Sequence, residues 1–132
     1  MQISGAGRTW QIDDTGALKM ALEWRDSRGG AEFWLAHEGG AYPCLAVRLD
    51  GSAADVHYFP DAEHPGFRCL GGAGLPAGGV TKLVYEGCDP GDGEEVPNEF
   101  IVTAAVAARL AEAFFRSGEK SAEVEWMELW EN

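Results

Sequence analysis

The chain's 132 residues carry 10 Lys and Arg against 22 Asp and Glu, a formal net charge of -12 at pH 7. Phosphate backbones and anionic lipid surfaces are bound by Lys and Arg displacing counterions, so this field argues against nucleic acid or a membrane as ligand and for a basic protein partner. With 45% apolar residues, five Trp and six Phe, the chain can bury a self-sufficient core, which predicts a single domain over 1–132.

Trp10 and Ile12 alternate with polar neighbours as in a short first strand, and Asp13, Asp14 and Thr15 offer side-chain oxygens for a helix N-cap. Leu18, Ala21, Leu22 and Arg25 recur at helical spacing up to Gly29-Gly30, which predicts a helix over about 15–28. A strand over 18–25 is the alternative, because Gly16 weakens the first helical turn. Alternation in Glu32 to His37 and in Leu45 to Asp50 predicts two strands joined by a Gly39-Gly40 turn. Asp50-Gly51 is a hairpin signal that returns the chain along Ala54 to Phe59. Gly66 to Leu70 and Thr81 to Glu86 read as two more strands, separated by a glycine-rich loop over 71–79. Asn98 to Val102 reads as a short strand.

Thr103 supplies a second N-cap. Val106, Leu110, Ala113, Phe114 and Ser117 then share one stripe, Arg109, Glu112 and Arg116 another, and Gly118 closes a helix over about 104–117. The run Glu123 to Trp130 alternates, with Val124, Trp126 and Glu128 on one face, and predicts a closing strand. Together these give an α+β domain, a mainly antiparallel sheet of about six strands covered by one or two helices.

No catalytic fingerprint accompanies this pattern. Zinc deaminases need H-x-E and P-C-x-x-C; here His37 precedes Glu38 directly and Pro43-Cys44 has no cysteine three residues on. G-x-S-x-G, H-E-x-x-H and Walker sequences are absent, and no carboxylate pair comes with a base or nucleophile, so no enzyme is expected. His57, His64, Cys44, Cys69 and Cys88 match no zinc spacing, so neither metal nor cofactor is expected. His57 reads as a sheet-face residue, and Cys44 and Cys69 as small core hydrophobes. The glycine-rich loop leads into a strand rather than a helix, which makes it a connection and not a phosphate cradle. Met1 to Gly5 show no basic region before an apolar one, no run of eighteen apolar residues occurs, and no cysteines form a C-x-x-C pair. A cytoplasmic protein with reduced thiols is expected.

Glu86, Asp89, Asp92, Glu94, Glu95 and Glu99 crowd a stretch without Lys or Arg, broken by prolines and glycines. The plain reading is a solvated loop; the functional one is a contact surface for a basic groove. Asp89, Asp92, Glu94 and Glu95 are therefore contact candidates, together with Tyr58, Asp61, Glu63, His64 and Phe67. Tyr58, Phe67 and Trp130 would serve as aromatic anchors if exposed.

Val56-His57-Tyr58-Phe59 followed by Pro65-Gly66-Phe67-Arg68, then Val96-Pro97-Asn98-Glu99, then Trp126-Met127-Glu128-Leu129 form an order that resembles immunity protein family one of bacterial polymorphic toxin systems. The resemblance spans about residues 40–130. Its last segment is similar to the family's C-terminal tryptophan-glutamate signature, with Met127 where an acidic residue is frequent. It implies a small protein that binds a cognate secreted toxin, often a nucleic-acid deaminase, and occludes its basic substrate groove; the ample core separately predicts a monomer when free. The resemblance also implies a structural role for Trp126 between sheet and helix. The alternative left open by the residues is a small acidic regulatory or subunit module for another basic partner. Without ligand spacing among its cysteines and histidines, the domain should keep its melting temperature in EDTA. A large drop, with stoichiometric zinc by elemental analysis, would contradict that expectation.

Overall fold

The computed structural model describes residues 1–5, 7–37, 40–85 and 93–129. In chain order its elements are β1 (Gln2–Gly5), β2 (Arg8–Gln11), α1 (Thr15–Leu22), β3 (Gly30–Ala36), β4 (Cys44–Asp50), β5 (Ala53–Phe59), β6 (Phe67–Cys69), β7 (Val80–Leu83), β8 (Glu94–Pro97), a 3-10 turn at Asn98–Phe100, β9 (Val102–Thr103), α2 (Ala104–Ser117) and β10 (Trp126–Glu128).

The Asp50-Gly51 signal makes the central hairpin, with β4 and β5 paired antiparallel from Asp50↔Ala53 to Cys44↔Phe59. Around it the main sheet runs β10-β6-β5-β4-β3-β1-β2, with β9 beside β5, while β7 and β8 pair apart as a second, two-stranded sheet. The architecture is α+β, as the pattern implied, with eight strands in the main sheet where about six were expected.

Strand alternation sends Ile3, Phe33, Leu35, Leu45, Val47, Leu49, Val56 and Tyr58 into one core. Leu18 and Leu22 of α1 and Ala107, Leu110, Ala111 and Phe114 of α2 close it. Helix α2 has the predicted limits because both caps work. Thr103 Oγ1 accepts the Val106 amide at 3.1 Å, and Gly118 takes φ 74° while its amide reaches the Phe114 carbonyl at 2.8 Å.

Helix α1 starts as expected, Asp14 Oδ1 accepting the Ala17 amide at 2.7 Å, but stops at Leu22 rather than near 28. Arg25 Nη1 donates to the Leu22 and Trp24 carbonyls at 2.6 and 2.8 Å, and Asp26 Oδ1 accepts the Arg28 and Gly30 amides. Side chains thus satisfy the groups a longer helix would have satisfied.

The opposite face of the sheet carries a smaller core of Leu83, Val96, Phe100 and Ile101 beneath β7, β8 and the 3-10 turn. Two expectations change here. The 98–102 stretch is not one strand but the 3-10 turn followed by the two-residue β9. The acidic run is not loop throughout, because Glu94–Pro97 pairs with Val80–Leu83, placing Glu95 opposite Lys82. The segment 86–92 lies outside the described residues, as does Trp130. Strand β10 is shorter than the predicted 123–130 and pairs with β6, Trp126 opposite Cys69. No helix among the described residues is long and apolar enough to cross a membrane.

Phe114 has no exposed surface, whereas Trp126 is half-buried, packs against the core edge and donates from Nε1 to the Ser121 carbonyl at 2.8 Å. Phe114→Ala should cost about 3–5 kcal/mol by denaturant unfolding, and Trp126→Ala less, because less of its ring leaves water on folding. The reverse order would assign the anchoring role to the terminal strand.

Candidate functional site

Register fixes what the second face of the sheet displays. Trp34, Ala46, His57, Arg68 and Met127 form one row across β3, β4, β5, β6 and β10. Ala36, Cys44 and Phe59 form the row on one side, and Glu32, Arg48 and Asp55 the row on the other. The β7–β8 hairpin covers the Asp55 end, and Trp34 remains exposed at the other.

Asp55 has 0% exposure. Its Oδ1 accepts from Arg48 Nε at 3.1 Å, and its Oδ2 accepts from Arg48 Nη2 at 2.8 Å and Arg68 Nη2 at 2.9 Å. Arg48 Nη1 continues to the Glu94 carboxylate and to the Tyr85 hydroxyl at 3.3 Å. The two guanidinium groups lie over the rings of Tyr85 and Phe100, at 4.8 and 4.4 Å from the centroids. Burial pushes the Asp55 carboxyl up, but the hydrogen bonds and charge of Arg48, with His57 and Arg68 adding to them, hold it below the usual carboxylate range. Arg68 Nε is buried without a hydrogen-bond partner among the described residues.

His57 Nδ1 stands 3.9 Å from Asp55 Oδ1, beyond a hydrogen bond. Burial lowers its pKa, the positive charges of Arg68 and Arg48 add to that, and Asp55 opposes it, so the ring is neutral at pH 7. Apart from Arg68 Nε, the cluster's polar groups are satisfied within it. Its charges are engaged with one another, and they clamp the hairpin to the sheet. Among the described residues no group of three His, Cys, Asp or Glu is placed to hold a metal ion.

The open end is aromatic. Trp34, 44% exposed, stacks on Phe59 with centroids 5.8 Å apart, and its Nε1 donates to Glu32 Oε1 at 3.0 Å. Tyr42 is 47% and Met127 42% exposed. The turn after β5 is rigid: Asp61 Oδ1 accepts the Glu63 and His64 amides, both at 2.9 Å. His64 Nδ1 accepts the Gly66 amide at 2.8 Å, so Nε2 carries the proton that it donates to Glu128 at 2.8 Å. The ring of His64 stacks on Phe67 at 4.8 Å, and the Lys120 ammonium lies 4.5 Å from the Phe67 centroid.

These positions revise several contact candidates. Tyr58 is not a surface anchor: it is 7% exposed, in the main core, with its hydroxyl donating to the Gly118 carbonyl at 3.4 Å. Alternation from Val56 already implied this. Phe67 is half-buried against His64 and Lys120. Glu94 does not lack a compensating charge, since it pairs with Arg48 from a distant strand. Asp61, Glu63 and Glu95 are exposed. Asp89 and Asp92 lie outside the described residues. Cys44 and Cys69 are buried, and burial pushes the Cys69 thiol up to about 12.

Sequence reasoning passed over Trp34, Tyr42 and Phe59. The signal for the first and last was their strand parity, which sets them with Glu32 and His57 and opposite Phe33, Leu35 and Tyr58. Comparisons with protein-family models and with curated proteins find no match to this chain.

Asp55→Asn would leave two buried guanidinium groups short of their counter-ion and should cost about 3–5 kcal/mol. The pH response follows from His57. Its folded pKa lies below the ordinary 6.5, so its contribution is complete above that value and is lost as pH falls below it. The melting temperature should fall on acidification below pH 6.5, and His57→Gln should flatten that fall. An unchanged slope would assign the response to other groups.

Proposed function

We propose that this protein is the immunity partner of a secreted toxin of the nucleic-acid deaminase class, acting by binding and without chemistry of its own. One observation carries the reading: the two arginines of the second face are tied to carboxylates, so what this face and its adjoining turn offer to water is acidic and aromatic. Glu32, Asp61 and Glu63 supply the charge, and Trp34 and Tyr42 the apolar area. The net charge of -12 and the family resemblance point the same way.

A toxin acting on nucleic acid needs a cationic groove for phosphates. An acidic domain docked there excludes the substrate and is steered to it over distances on the order of the Debye length. Such a protein works in the cytoplasm of the producing cell, as a free monomer until the toxin is made. An interface of about 1,600 Å², anchored by a few aromatic or charged residues, reaches nanomolar affinity or better.

The decisive experiment is to sequence the neighbouring genes and co-express the chain with any deaminase-type toxin domain found there, which should restore growth. No rescue removes the reading. Replacing Asp61, Glu63 and Glu95 by Asn or Gln should leave stability within about 0.5 kcal/mol, since Glu63 and Glu95 are solvated and an Asn at 61 keeps the oxygen that accepts the Glu63 and His64 amides. The same change should slow association at low salt and flatten its salt dependence.

A further inference from the structure

Trp34 and Tyr42, two of the most exposed large apolar side chains described, line one cleft of about 280 Å³ with Gln2, Ser4, Ala36 and Cys44. The cleft exists because small side chains meet there: Ala36 and Cys44 face each other across β3 and β4, between bulkier neighbours. Its aromatic wall is held in place. Trp34 is stacked on Phe59 and hydrogen-bonded through Nε1 to Glu32, whose carboxylate therefore sits beside the indole.

We infer that this cleft is an anchor pocket for a single arginine side chain presented by a basic protein partner. The inference deepens the binding function proposed above and rests on the partner being basic. Three features favour arginine. Aromatic faces attract a cation, and a planar guanidinium stacks on them as well, which an ammonium does not. Glu32 lies outside the cleft's lining, but its carboxylate takes the Trp34 indole N–H at 3.0 Å and so places a negative charge beside the aromatic wall. The chain's own clusters show the same chemistry: Arg48 and Arg68 each combine a carboxylate with an aromatic ring, Tyr85 and Phe100 respectively. Trp34 and Glu32 likewise set a carboxylate beside an aromatic ring, with the cation left to the partner.

The test uses a nine-residue arginine peptide as probe and a nine-residue lysine peptide of equal charge as control, titrated into the ¹⁵N-labelled chain. The Trp34 indole resonance and the backbone amides of Ala36 and Cys44 should move, and the arginine peptide should bind more tightly than the lysine one. Trp34→Ala and Tyr42→Ala should each weaken arginine-peptide binding about two- to fivefold, and Trp34→Phe should retain most of it. Tyr42→Ala should keep the wild-type melting temperature, whereas Trp34→Ala also loses the stack on Phe59 and should lower it modestly, so binding is compared at a temperature where both variants are folded. Asp61→Asn with Glu63→Gln should weaken both peptides alike and preserve the difference between them.

Equal affinity for the two peptides overturns the pocket, as does unchanged arginine-peptide binding by both alanine variants or a shift map centred on 61–63 or 94–95. The titration decides this whichever way the growth assay falls. In cells where the wild-type chain rescues, rescue retained in full by the Trp34→Ala, Tyr42→Ala double variant removes the pocket as the toxin's anchor while the immunity function stands.

Discussion

A carboxylate with no access to water, Asp55, holds three parts of this protein together, and its charge is tolerable there only because two guanidinium groups reach it. Arg48 comes from β4, next to Asp55 in register, and Arg68 from β6 on the other side, so the cluster spans three strands of the sheet. Taking an ion out of water costs several kcal/mol, and the attraction within the cluster has to offset that. Such an arrangement contributes more to a unique geometry than to net stability. Arg48 extends it out of the sheet to Glu94 and Tyr85, while Asp50 Oδ2 accepts the Val84 amide at 3.0 Å. The hairpin β7–β8 is thereby placed over one half of the second face and not the other.

That placement decides what is left open. The helical face is closed by α1 and α2 over a continuous apolar core. On the other face, the small core of Leu83, Val96, Phe100 and Ile101 ends at the Asp55 row, and beyond it lie His57, Trp34, Phe59 and Met127. A sheet face that is half covered and half aromatic is uncommon for a purely structural surface. Because Arg48 and Arg68 are already paired with a carboxylate, the proposed cationic partner would meet both attraction and apolar area in one place.

How far the sequence foretold this depends on whether local or distant groups decided each element. Helix α2 was legible to the residue because its signals are local: Thr103 and Gly118 cap it, and its stripe is periodic. The β4–β5 hairpin was legible for the same reason. Helix α1 ran too long on paper because Arg25 and Asp26 look helical in sequence yet act as caps and turn-formers in space. The acidic run was misjudged because the cation that pairs with Glu94 lies 46 residues away in sequence, where no local count finds it. Asn98 to Val102 is not one strand because Asn98, its side chain accepting from Thr81 and donating to the Pro76 carbonyl, is fixed where its own carbonyl accepts the Ile101 amide at 3.0 Å and turns the chain. Strict alternation along β5 puts Tyr58 with Val56 in the core, and puts Phe59 on the face that is open.

Exposing Trp34 and Tyr42 forgoes burial that would otherwise stabilise the fold, and exposed rings invite association between copies of the chain. Two properties make the exposure tolerable. A net charge of -12 makes copies repel one another, so the charge that would attract the proposed basic partner also opposes self-association. The aromatic wall is also pre-organised. Phe59 packs on Gly66, where an added Cβ would come within 2.9 Å of the ring, and Trp34 is fixed between Phe59 and Glu32. Side chains already held in one rotamer lose little entropy on docking, whereas a free one costs about 0.5–1.5 kcal/mol to immobilise. For the binding role proposed, rigidity at this end of the sheet would serve affinity, and it derives from the same strand register that buries Asp55 at the other end.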